Sequence, residues 1–149
     1  MKKTIWIGSD HAGLDLKSAI KNELSSQYDV KDVGPNDTTS VDYPDFGEKV
    51  ALEVAKDGSS EGILICGSGI GMSIAANKVA GVRAALVHSI ETATLSKQHN
   101  NANVLCLGAR TTDNKLALQM VRAWLDAKFE GDRHQRRVDK LSNLDKKRS

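Results

Sequence analysis

The stretch from Gly62 to Ala76, GILICGSGIGMSIAA, limits the possible folds more than any other part of the chain. Ile63, Leu64 and Ile65 form a short, wholly apolar run with β-branching. Nothing polar alternates with them, which is the pattern of a parallel strand buried on both faces. Cys66 therefore falls at the strand's carboxyl end. Gly67, Gly69 and Gly71 follow at every second position before a helix-compatible segment begins. Such a turn can take positive φ and leave backbone N–H groups open to an anion or oxyanion at the helix start.

Four readings fit this stretch. The first is a buried structural cysteine in a tight strand-to-helix turn. A dinucleotide site is the second, but the third glycine of that fingerprint falls on Met72, and the only acid near the end of the following strand is Glu91. The third is a nucleophilic thiol, which needs a histidine and a group to orient it. In the fourth, the thiolate is a base and the glycine loop stabilises the enediolate formed next to a carbonyl.

The flanking sequence supplies the scaffold. Thr4–Gly8 reads as a strand that runs through GSDHAG (Gly8–Gly13) into a helix with Leu14, Leu16, Ala19, Ile20 and Leu24 on its apolar face. Tyr28–Val33 is a second strand. Pro44 starts a helix with Phe46, Val50, Leu52 and Val54 inward. After the glycine loop, a helix runs to near Gly81, Val82–Val87 is a fourth strand, and Ser89 caps a helix to about Gln98. Val104–Leu107 is a fifth strand, and Thr112 caps a helix to Lys128.

This alternation predicts a three-layer α/β/α, doubly wound (Rossmann-like) domain over residues 1–149, with a parallel sheet of about five strands. Val138, Leu141 and Leu144 recur at helical spacing, so a C-terminal helical extension over roughly 131–147 is expected to pack on this domain or on a partner. If strand one lies between strands two and three, the switch point sets GSDHAG across from CGSGIG.

At 149 residues with 40% hydrophobic and 27% charged content, the chain suits one domain with a proper core. No apolar run approaches a membrane span, and MKKTIWIG leads directly into a strand without a signal-peptide pattern, so a cytoplasmic protein is expected. Cys66 and Cys106 then read as free thiols. From Lys128 onward the formal charge is +4, against −2 for the rest. With 4% aromatics, this basic cluster suits one phosphate of a small ligand better than a nucleic acid.

Taken together, GSDHAG, DYP (Asp42–Pro44), ICGSGIGMSIAANK, GVRAA (Gly81–Ala85), HNNANVLCLGAR (His99–Arg110) and RHQRRV (Arg133–Val138) resemble one family, in order and across the chain. The chain is similar to type B ribose-5-phosphate isomerases, whose family also holds galactose- and allose-6-phosphate isomerases. The resemblance implies a cofactor-free, metal-free aldose–ketose isomerase of the pentose phosphate pathway that acts on a phosphosugar through an enediolate. It implies that Cys66 transfers the proton, where some members use a glutamate instead, and that Ser68 helps hold the reacting oxygens. His99 would open the furanose ring, with Asp42 and Tyr43 near the sugar. His11, Arg110, Arg133 and Arg137 would bind phosphate, and Asp10 and Asn100 the sugar hydroxyls.

Residue chemistry bears on these assignments separately. A helix N-terminus with N–H donors favours a thiolate, and a cyclic sugar needs a second acid/base group, for which histidine is suited. Bland alternatives are a cap for His11, a structural role for His88, and core packing for Met72, Trp124 and Leu125. Between function and structure, His134 is evenly balanced. Arg136, Lys140 and Lys146–Arg148 read as a solvated face, whereas Arg133 and Arg137 share a helix face at i, i+4. The topology places Cys66 at the carboxyl end of the sheet and His99 in a connection returning to the amino end. A homodimer, or a multiple of one such as a tetramer, with shared sites is therefore expected.

Overall fold

Five strands form along the chain: β1 (Thr4–Ser9), β2 (Asp29–Asp32), β3 (Glu61–Cys66), β4 (Ala84–Leu86) and β5 (Val104–Gly108). The computed structural model describes residues 1–148 and joins these strands in one sheet of order β2-β1-β3-β5-β4, with every pair parallel. β1 thus lies between β2 and β3, and the switch point falls where the sequence places it.

Every residue of β3 is buried, as the apolar run Ile63–Ile65 requires, and the one charge among them, Glu61, is paired with Lys97. Successive side chains serve opposite faces. Ile63 and Ile65 join Ile5, Ile7, Leu105 and Leu107 in one core with residues of α1 (Leu14–Leu24), α4 (Ile90–Gln98) and α5 (Asn114–Asp126). Leu64, Cys66 and Cys106 join a second core with α2 (Tyr43–Lys56) and α3 (Ile70–Asn77). The result is the expected α/β/α sandwich. Gly62 lets α2 lie close on β3, since a Cβ there would come within 2.6 Å of Val50.

Several boundaries differ from the sequence reading. Leu52 is exposed while Val50, Ala51 and Val54 are buried, because two residues turn a helix by about 200° and carry Leu52 away from Val50's face. α3 stops at Asn77, whose side-chain amide bonds both the N–H and the C=O of Ala84, and a left-handed Gly81 completes the turn. β2 and β4 are shorter than the expected strands Tyr28–Val33 and Val82–Val87. Both are edge strands with a pairing partner on one side only. Ser89 caps α4 as expected, but Asp113 rather than Thr112 caps α5; its carboxylate accepts the Leu116 N–H at 2.8 Å. α5 ends at Asp126, two residues before Lys128.

α6 (Arg133–Lys146) matches the expected C-terminal helix within a residue or two. Val138 is buried, and the Asp145 carboxylate accepts the Gly81 N–H at 2.9 Å, whereas Leu141 and Leu144 remain half-exposed. No helix among the described residues is long and apolar enough to cross a membrane.

Candidate active site

The loops after β1, β3 and β5 meet at the carboxyl end of the sheet. Cys66 ends β3 and is 5% exposed. Beyond it, the chain following β5 is fastened to the glycine loop: Ala109 N–H donates to the Cys66 carbonyl at 2.8 Å, and Arg110 N–H to the Gly67 carbonyl at 2.9 Å. The Arg110 side chain consequently lies over Gly67, 3.2 Å from where a Cβ would stand. Gly69 is left-handed, with φ 78°, and begins α3; a Cβ there would meet the Leu107 carbonyl. Gly71 sits beneath the Tyr43 ring, where a Cβ would come within 2.5 Å of the ring carbons, so the start of α2, with Asp42 as its N-cap, brings Tyr43 onto the glycine loop.

The Ser68 hydroxyl accepts the Ile70 N–H at 3.2 Å, which leaves its own proton to donate toward a reacting oxygen. On the β1 side, Asp10 N–H donates to the Ile65 carbonyl at 3.0 Å and joins the two loops. The Asp10 carboxylate, not His11, caps the following turn by accepting the Ala12 and Gly13 N–H groups at 2.9 and 3.1 Å. His11 Nδ1 accepts the Val41 N–H at 3.2 Å, so in the neutral ring Nε2 carries the proton and is the donor. These contacts gather Asp10, His11, Tyr43, Cys66, Gly67, Ser68, Gly69, Gly71 and Arg110 at the carboxyl end of the sheet, with Asp42 just before Tyr43 at the start of α2.

His99, Asn100, Arg133 and Arg137 are not brought to that group. His99 is the C-cap of α4, and the chain enters β5 from the amino end of the sheet. There the His99 ring stacks on His134 with centroids 4.3 Å apart and planes 9° from parallel. Glu130 Oε1 lies 3.6 Å from His99 Nε2 and 3.5 Å from His134 Nε2. Burial pushes the His134 ring below the usual histidine range, helped by the charges of His99, Arg133 and Arg137 and opposed by Glu130. The sequence reading did not single out Glu130. Its one signal was the i, i+4 spacing to His134, which crosses the Gly131–Asp132 turn and so belongs to no helical periodicity.

Both cysteines are free thiols. Cys106 lies in the sheet opposite Leu64, fully buried, and burial pushes its thiol far above the usual range. Of the two, only Cys66 stands beside a loop of donors.

A ribose/galactose isomerase family profile matches residues 5–141. The chain is 50% identical over 149 residues to a probable ribose-5-phosphate isomerase B of Mycoplasma genitalium, covering 98% of each chain. It is 44% identical over 148 residues to ribose-5-phosphate isomerase B of Escherichia coli, covering 99% of each. Among solved structures, it superposes on a Clostridium thermocellum ribose-5-phosphate isomerase B with TM-score 0.95 at 49% identity, covering 98% of this chain and 99% of that one. The Mycoplasma genitalium enzyme, solved with bound ribulose-5-phosphate, gives TM-score 0.93 at 50% identity and 96% coverage of both chains.

Proposed function

The chain belongs to the ribose/galactose isomerase family, and from that premise we propose that it interconverts D-ribose 5-phosphate and D-ribulose 5-phosphate. Its likeness over the whole chain to a protein solved with ribulose-5-phosphate carries this reading. In the aldose-to-ketose direction, His99 gives a proton to the ring oxygen as the anomeric hydroxyl loses one, which opens the sugar. The Cys66 thiolate then removes the proton from C2 and returns it to C1, while the proton on O2 passes to O1. Ser68 and the backbone N–H groups of Gly67–Gly71 stabilise the enediolate between these steps. Asp42, Tyr43, Asp10 and Asn100 hold the sugar. His11, Arg110, Arg133 and Arg137 hold the phosphate.

This division of labour needs two chains. The Cys66 crevice and the His99–Arg137 group lie at opposite ends of the sheet, so we assign each site to a homodimer or a multiple of one. Ile70 and Ile74 support this, because they expose an apolar stripe on α3 directly beside the glycine loop. Hexose 6-phosphates differ from the proposed substrate by one carbon, which is worth only about 10- to 200-fold in discrimination. Measuring kcat/KM on ribose 5-phosphate, allose 6-phosphate and galactose 6-phosphate side by side tests the substrate. A higher value on either hexose would displace the pentose.

A further inference from the structure

His99 has an exposure problem. Its side chain is 38% exposed at the end of α4, where the backbone leaves the helix through a left-handed Asn101 with φ 48°. An imidazole that must deliver a proton in its own plane loses effectiveness when it swings freely. We propose that His134 and Glu130 are positioning residues that hold the His99 ring in the pose from which it opens the sugar. The proposal rests on the reading of His99 given above.

Three observations carry it. His134 is almost wholly buried and offers His99 a parallel face at 4.3 Å. Its Nε2 is buried without a hydrogen-bond partner, a costly state that core packing alone does not call for. Finally, Glu130 is fastened to the backbone next to His99, since its N–H donates to the Gln98 carbonyl at 3.0 Å, and its carboxylate oxygen lies 3.6 Å from His99 Nε2 and 3.5 Å from His134 Nε2. The left-handed pair Gly131 and Asp132, with φ 69° and 48°, reverses the chain so that Glu130 and His134 both face His99.

The charges around the pair favour a brace. Among the described residues, Glu130 is the one anion acting on His134, against His99, Arg133 and Arg137, and burial adds to the pressure on His134 to stay neutral. A neutral His134 is a stacking surface and not a rival cation for the Glu130 carboxylate. The three side chains place their donor atoms within 4.8 Å of one another, as metal ligands do. Nevertheless, rings 9° from parallel direct their lone pairs side by side, so they do not converge on one ion.

Two assays on the full-length protein separate ring opening from proton transfer. Conversion of ribose 5-phosphate requires the ring to open. Exchange of the C1 hydrogens of ribulose 5-phosphate with deuterium does not, because a ketose whose terminal hydroxyl is phosphorylated cannot close a five-membered ring. His134→Ala should lower kcat on ribose 5-phosphate about tenfold, part of what a well-placed acid contributes, with little change in KM. The same variant should keep C1 exchange within about twofold of wild type. His134→Phe, which restores a stacking face, should recover most of the loss. Glu130→Ala, at a half-exposed position that tolerates truncation, should change the two rates in the same unequal way.

Equal losses in both assays, no loss in either, or no recovery by phenylalanine would overturn the proposal. If His99→Asn itself converts ribose 5-phosphate at the wild-type rate, the ring-opening assignment falls, and the brace with it.

Discussion

Mixing two inactive variants offers the most direct test of the shared site. The register pairs Gly62 with Val104 and Cys66 with Gly108, so Cys66 lies four residues further along the sheet than the start of β5. At about 3.3 Å per residue this is roughly 13 Å, and His99 comes before β5 begins, on the far side of that gap. Five carbons joined by bonds of ~1.5 Å extend only about 5 Å. A single subunit therefore does not present both residues to one sugar. Cys66→Ala and His99→Asn should each be inactive toward ribose 5-phosphate when refolded alone.

Unfolded together in equal amounts and refolded, half of the dimers should be mixed. Each mixed dimer carries one site with both lesions and one with none, so about a quarter of the activity of wild-type protein refolded in parallel should return. Native mass spectrometry of the refolded mixture confirms that the mixed dimer has formed. If it forms and no activity returns, every site has kept one lesion, the two residues act within one chain, and the topological argument is refuted.

Other consequences are simpler to measure. Iodoacetamide should label Cys66 before Cys106, which is fully buried with its thiol pushed far up, and substrate should protect Cys66; equal labelling by peptide mapping would remove the case for a distinctive Cys66. Arg137→Ala should raise KM roughly 10- to 100-fold with kcat nearly unchanged, as expected when a charged hydrogen bond serves ground and transition states alike; a fall in kcat alone would point elsewhere. Burial would raise the Asp32 carboxyl, but hydrogen bonds from Lys21, Lys17 and the Gly34 N–H outweigh it and hold the group below the usual range. Its contribution to stability is thus complete above about pH 4 and is lost as pH falls further, so in urea melts Asp32→Asn should lose less stability between pH 7 and pH 3 than wild type. Asp32→Ala should cost roughly 3–5 kcal/mol at pH 7 by leaving Lys17, which is 2% exposed, charged beside the Pro35 carbonyl alone.

Where a residue's environment comes from its chain neighbours, the sequence was enough to place it. The Ile63–Ile65 run, the glycines after Cys66 and the Ser89 cap are of this kind, and each lies where its local chemistry puts it. Edge strands are not: Val33 and Val87, just beyond β2 and β4, still donate to the Ile7 and Cys106 carbonyls, and nothing in the local sequence marks where the regular strand stops. Thr112 reads as the α5 cap from its place before the helix, but it is the Asp113 carboxylate, one residue on, that reaches the Leu116 N–H.

The site divides along the same line. Arg110 over Gly67 and Tyr43 over Gly71 follow from loops that strand alternation already gathers at one end of a parallel sheet. The stack of His99 on His134 joins the end of α4 to the start of α6, two helices with no strand pairing to relate them, and no periodicity in either helix points at the other. Alternation does say that a residue after a helix and before a strand belongs to the sheet's amino end. Applied to His99, this rule separates it from Cys66 in the chain that contains both, so a reaction needing both residues has to draw them from two copies.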